Sequence, residues 1–131
     1  MKRMLLGLVL FILWFGTANA QNLSAWSTWK NQRSSLLIVT KVDASTGAFE
    51  GTFINNATGF KCQGVAVAMS GKVTGSNITF VANFAPCSNT ITVWSGKLSS
   101  TQITTDWELW YVDSNLSFQQ LKGQDIFDQI K

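Results

Sequence analysis

"TTDWELWYV", residues 104–112, carries the alternation that sets the fold of this chain. Successive side chains of a β-strand point to opposite faces. Trp107 therefore shares one face with Leu109, and Asp106 shares the other with Glu108. Acidic side chains mark the face that meets water. The stretch predicts a β-strand whose Trp107 and Leu109 face the protein interior.

Similar apolar or β-branched runs recur along the chain, each bounded by Gly, Asn, Asp or Ser. This punctuation is typical of antiparallel strands, and residues 43–47 and 74–77 have the composition of hairpin turns. Strands are predicted at residues 25–31, 35–42, 48–55, 63–73, 78–84, 90–98, 103–112 and 118–129. Short strands joined by short loops predict an all-β fold. We expect an eight-stranded antiparallel up-and-down β-barrel, because closing the sheet removes its exposed edges.

The first twenty residues have the layout of a signal peptide. Lys2 and Arg3 precede an apolar run over residues 4–15, and an A-x-A cleavage site ends at Ala20. A membrane anchor is the alternative, but the run is short for a membrane span. The sequence predicts a signal peptide at residues 1–20, one domain at 21–131, and a secreted or periplasmic protein after cleavage.

Charge and composition exclude several classes of function. The formal net charge of +3 falls to +1 once Lys2 and Arg3 are removed, and the remaining charges are scattered. Nucleic acid and membrane surfaces are therefore not expected partners. The chain has no histidine, and the pair Asp106 and Glu108 lies on a predicted outer face. We expect no catalytic residues and no enzyme activity.

The two cysteines, Cys62 and Cys87, are predicted to form a disulfide, which is the usual state in an oxidising compartment. A metal site is the competing interpretation. Two cysteines with no histidine cannot complete a tetrahedral shell, so no metal and no cofactor are expected.

The predicted barrel interior is unusually polar. Asn31 and Ser35 fall on one inward face, and Thr92 and Trp94 fall on another. Such an interior suits a cup for a small ligand with a polar head. The alternative is that the tryptophans are ordinary core residues whose N–H groups bond neighbouring hydroxyls. The pattern alone does not choose between the two.

Five motifs resemble the avidin and streptavidin family, in order along the whole of residues 21–131. They are "TWKNQRSSLLIVT" (28–40), "GAFEGTFINN" (47–56), "TVWSGK" (92–97), "TTDWELWY" (104–111) and "GQDIF" (123–127). The positions of Cys62 and Cys87 resemble the disulfide-linked loops of the dimeric, rhizavidin-like branch.

The resemblance implies secreted, non-catalytic, high-affinity binding of biotin in the mouth of the barrel. By position, Asn31 and Ser35 would donate to the ureido oxygen, and Asp125 and Asn55 would accept the ureido N–H groups. Thr92 would lie near the sulfur, and Thr90 near the valerate carboxylate. The implied ligand contacts are Asn31, Ser35, Phe53, Asn55, Phe84, Thr90, Thr92, Trp94, Trp107, Leu109 and Asp125.

Three positions depart from the family pattern. Phe53 replaces a tyrosine that donates to the ureido oxygen, and Phe84 stands where a tryptophan is usual. Arg33 replaces an apolar wall residue and either reaches the pocket mouth or extends outward. These changes leave open a lipocalin-like or lectin-like barrel for another small hydrophobic or sugar ligand.

The sequence also predicts self-association. Ile91, Val93 and Trp110 fall on the outer face of their strands, and large exposed apolar patches mark interfaces. The tryptophan that tetrameric members lend to a neighbouring site has no counterpart near residues 116–118. A homodimer is therefore expected, with a higher oligomer as the alternative.

Overall fold

The computed structural model describes residues 23–131, so the predicted signal peptide and its cleavage site lie outside the described residues. The described chain forms eight strands that close into a barrel. The strands are β1 (Ser27–Asn31), β2 (Leu36–Val42), β3 (Ala48–Ile54), β4 (Ala66–Thr74), β5 (Asn77–Asn83), β6 (Thr90–Leu98), β7 (Gln102–Val112) and β8 (Phe118–Ile130).

Each strand pairs antiparallel with the next in the chain, and β8 returns to β1. Asn31 is opposite Phe127 and Thr28 is opposite Ile130 in this closing pair. The up-and-down barrel predicted from the sequence is confirmed. No helix in the described region has the length and apolar character needed to cross a membrane.

The start of β4 is the largest difference from the predicted strands. The sequence places this strand from residue 63, but residues 61–64 form turns and Val65 N donates to Cys62 O at 3.0 Å. Cys62 is bonded to Cys87, as predicted. The crosslink joins the segment before β4 to the segment between β5 and β6, so the chain reaches extended geometry only at Ala66.

Side-chain acceptors and glycine shape two of the turns. Asp43 Oδ1 accepts from the backbone N–H of Ser45 at 2.9 Å and from its hydroxyl at 2.6 Å. These bonds hold the pKa of Asp43 below its usual range. Gly47 ends the same turn at φ +78°, and a Cβ there would lie 2.0 Å from the carbonyl oxygen of Val73. Only glycine fits this close approach of two strands.

Aromatic side chains fill the middle of the barrel. Trp94 stacks on Phe80 with ring centroids 4.9 Å apart, and Phe53 lies 4.5 Å from Trp94. Phe127 meets both phenylalanines edge-on. All four are almost completely buried. This packed layer forms the floor beneath a cavity at the end of the barrel where the β1–β2 turn lies.

Candidate functional site

A cavity of about 170 Å³ opens at this end of the barrel. Nine of the eleven predicted ligand contacts line it, and Phe84 and Thr90 do not. Arg33, Ala57 and Phe60 complete the lining. The full set is Asn31, Arg33, Ser35, Phe53, Asn55, Ala57, Phe60, Thr92, Trp94, Trp107, Leu109 and Asp125.

The β1–β2 turn gives the cavity two hydrogen-bond donors. Asn31 Oδ1 accepts from the backbone N–H groups of Arg33 at 3.0 Å and Ser35 at 2.9 Å. Both acceptor sites of that oxygen are therefore used, and the side-chain NH₂ remains to donate. Ser35 Oγ accepts from Asn56 N at 2.9 Å, which leaves its O–H as a donor. Both side chains are buried.

The carboxylate of Asp125, on β8, is the strongest acceptor in the cavity, and the residue is buried. Its Oδ2 accepts from Trp94 Nε1 at 2.8 Å, and its Oδ1 accepts from Gln32 Nε2 at 2.9 Å and from Arg33. A carboxylate has about four acceptor positions. One position on Oδ2 is left for a ligand N–H.

Asn55, which follows β3, supplies a second acceptor. Its Oδ1 accepts from Ala57 N at 2.9 Å and keeps one further lone pair. The cavity thus presents donors from the β1–β2 turn and acceptors from Asp125 and Asn55. It can hold a compact group that carries both a carbonyl oxygen and N–H groups.

Apolar side chains form the walls. Trp107 packs so closely on Gly123 that a Cβ at that glycine would lie 2.3 Å from Cζ2 of the indole. Phe60 belongs to the β3–β4 segment, and its ring centroid lies 5.1 Å from that of Phe84. Sequence reasoning missed Phe60 because it lies in an irregular segment with no strand period. Phe60 lies close before Cys62 in the sequence, and this short spacing was the one signal that could have placed it at the cavity.

Phe84 and Thr90 are buried but are not part of the cavity lining. Phe84 is fully buried and meets Phe53 edge-on at 6.2 Å between ring centroids. Thr90 is opposite Tyr111 in the β6–β7 pair. Its Oγ1 is buried and has no hydrogen-bond partner within residues 23–131. Phe84 packs on two lining residues, Phe53 and Phe60, and so supports the cavity wall.

The Arg33 side chain lies at the mouth of the cavity. The sequence left open whether it would reach the mouth or extend outward. Its guanidinium pairs with Asp125 Oδ1, and its Cζ lies 5.6 Å from the centroid of the Trp107 ring. It is the one cation among the described lining residues. Across the same described region, no cluster of three or more His, Cys, Asp or Glu side chains has metal-site geometry.

A closed eight-stranded barrel with an aromatic, polar-headed cavity at one end defines a small-ligand-binding barrel protein. Residues 19–130 match the avidin family. The chain belongs to this family, as the five sequence motifs predicted.

Individual relatives agree with the assignment. Afifavidin from Afifella pfennigii is 34% identical over 108 residues, which cover 77% of this chain and 66% of afifavidin. The chain thus spans 66% of the length of this curated relative. The bradavidin2–biotin complex is 41% identical with a TM-score of 0.75, covering 83% of this chain and 100% of that one. The rhizavidin–biotin complex is 31% identical with a TM-score of 0.73, covering 82% and 93%.

Proposed function

We propose that the chain binds biotin, without catalysis, in the cavity between the β1–β2 turn and Asp125. The pairing of donors with acceptors inside aromatic walls carries the proposal. A cyclic urea has one carbonyl oxygen and two N–H groups, and this cavity offers donors from Asn31 and Ser35 and acceptors from Asp125 and Asn55. Relatives solved with biotin support the same ligand.

The apolar part of the ligand would pack on the walls. Trp94 and Trp107 are opposite each other in the β6–β7 pair, and Thr92 is opposite Leu109 two residues further along. An indole surface therefore lies beside a hydroxyl group. The thiophane ring of biotin would pack on the indole, and its sulfur would lie near the hydroxyl. Because Asn31, Ser35 and Asn55 are already held by protein hydrogen bonds, little of this polar site must be ordered on binding, which favours high affinity.

Calorimetric titration with biotin tests the proposal, with Asp125→Asn and Asp106→Asn as a matched pair. Both changes turn a carboxylate into an amide, and Asp106 lies on the outer face beside Gln124. We expect Asp125→Asn to weaken binding by about 10- to 150-fold, because hydrogen bonds to charged groups contribute roughly 1.5–3 kcal/mol. Asp106→Asn should bind as wild type does. Absence of binding heat and of thermal stabilisation by biotin in the wild type would refute the proposal.

We also propose that the protein works as a homodimer through the outer face of β6–β8. Ile91 and Trp110 are paired there, as are Val112 and Phe118. Phe118 is 81% exposed and the other three are 41–42% exposed. Light scattering should give twice the protomer mass, and Trp110→Glu should give the protomer mass. A wild-type monomer at micromolar concentration would contradict this.

We also propose that the protein is exported. The segment 1–20 would direct secretion and be removed after Ala20, leaving residues 21–131 as the binding domain. The intact mass of the protein recovered from the periplasm or medium should correspond to a chain that begins at Gln21. A mass that retains residue 1 would show that cleavage does not occur.

A further inference from the structure

Arg33 stands at a fixed point of the main chain beside the cavity. Its N–H donates to Asn31 Oδ1, and Ser34 N donates to Asn31 O at 3.0 Å. Ser35 O in turn accepts from Asn31 N at 3.0 Å. With the backbone held on both sides, the Arg33 side chain can change its position without any change in the turn.

The guanidinium of Arg33 reproduces the chemistry expected of a ligand head group. It is planar, donates N–H to the carboxylate of Asp125, and lies over the ring of Trp107. The proposed cyclic urea would use the same two partners: the carboxylate as acceptor and the indole as a flat wall. The Arg33 side chain is 40% exposed while that of Asp125 is 5% exposed. The side chain thus reaches from the solvent edge down to the buried acceptor.

We propose that Arg33 is an internal competitor for the ligand head group, an inference that rests on the proposed binding of biotin. The guanidinium of Arg33 bridges Asp125 and Trp107. A ligand ring that packs on Trp107 needs that space, so the guanidinium must swing into solvent before or as the ligand enters. Arg33 therefore limits the rate of association and the affinity, and it selects for ligands that offer N–H donors on a planar group.

The contacts that Arg33 must break before the ligand enters determine how strongly it slows association. A partly exposed ion pair and an exposed cation–π contact together correspond to about 3- to 30-fold in a binding equilibrium. Once the ligand is seated, Arg33 lies in solvent and contributes little to release. Nearly all of the effect should therefore appear in the association rate constant.

Stopped-flow association with biotin tests this on the whole exported protein. Arg33→Gln removes the charge, and Lys30→Gln is the matched control because Lys30 is an exposed cation on β1 that lies outside the cavity lining. We expect Arg33→Gln to associate about 3- to 30-fold faster than wild type, with dissociation unchanged. Lys30→Gln should associate at the wild-type rate. Added sodium chloride should speed association of wild type, because salt screens the exposed ion pair, and should not speed Arg33→Gln.

The neutral amide of biotin separates the proposal from a direct role of Arg33 in binding the ligand carboxylate. If Arg33 competes, Arg33→Gln speeds association of biotin and biotin amide equally. An unchanged or slower association of biotin in Arg33→Gln would overturn the proposal, as would a loss of affinity confined to biotin with its carboxylate. Arg33→Lys, which keeps the charge without the planar group, should fall between the two rates and covers the case in which the glutamine variant fails to fold. Failure of wild type and variants alike to bind either compound would instead overturn the proposed function itself.

Discussion

Replacing Asn31 with aspartate or alanine separates the two roles that the structure gives this side chain. Its Oδ1 accepts the backbone N–H groups of Arg33 and Ser35, and its NH₂ is the donor proposed for the ureido oxygen. Asn31→Asp keeps an oxygen that can accept both N–H groups but removes the donor. Asn31→Ala removes both functions.

Stability measured without added biotin should therefore distinguish the variants. Each turn hydrogen bond contributes about 1 kcal/mol, so Asn31→Ala loses about 2 kcal/mol. A change of 1 kcal/mol shifts Tm by roughly 4–8 °C in a domain of up to about 100 residues, and we expect Tm to fall by about 10 °C. Asn31→Asp should unfold within about 3 °C of wild type, because its carboxylate retains the turn.

Both variants should bind biotin more weakly. A buried acceptor left without its donor costs about 1–3 kcal/mol, which is roughly 5- to 150-fold in Kd. In Asn31→Asp the ureido oxygen also meets a second carboxylate beside Asp125. The loss of biotin affinity should therefore be larger in Asn31→Asp than in Asn31→Ala. Thermal unfolding without ligand and calorimetry with biotin give the two quantities. Wild-type affinity in Asn31→Asp would show that this side chain does not donate to the head group, and an unchanged Tm in Asn31→Ala would refute its role in the turn.

Three further changes test separate features. Phe53→Tyr adds a hydroxyl to the floor of the cavity, where it would be a third donor for the ureido oxygen. Biotin binding should tighten by about 10- to 100-fold through slower release. Weaker binding in surface plasmon resonance would show that the head group lies elsewhere. Removing both Cys62 and Cys87 by alanine opens a loop with a sequence separation of 25 and should cost about 3.5 kcal/mol by the loop-entropy relation, measured by chemical denaturation; equal stability with and without the bond would contradict it. Ser34→Gly should raise the free energy of unfolding by up to about 1 kcal/mol, because Ser34 has φ +65° and glycine adopts this region without strain. Ser34→Ala is the control for that change and should give no gain in Tm.

The strand order was predictable from the sequence because period-two alternation and turn residues are local signals. In β7, for example, Asp106 is exposed while Trp107 and Leu109 line the cavity. The start of β4 was not predictable, because Val65 begins the apolar run that continues into the strand, while the bond from Cys62 to Cys87 ties the preceding turn to a distant segment.

The candidate site also contains residues that could be predicted from local sequence motifs and residues that could not. Asn31, Ser35 and Asp125 lie in motifs that fix their positions in the family, and all three line the cavity. The partner of Arg33 could not be read from the sequence, since it lies 92 residues away and meets Arg33 only through the closing β1–β8 pair. Thr90 was placed in the cavity by its resemblance to a family position near the ligand carboxylate, and the structure leaves it outside the cavity lining.

Closure of the barrel by β1 and β8 determines where a fused polypeptide would leave the protein. The two strands run in opposite directions side by side, with Thr28 opposite Ile130. Polypeptide joined before β1 or after β8 therefore emerges at the end of the barrel remote from the cavity. A fusion partner or surface tether can be placed at either position while the mouth stays open to the medium. A short linker between the same two positions would give a circular permutant whose new termini could lie in the exposed turn at Ser99–Thr101.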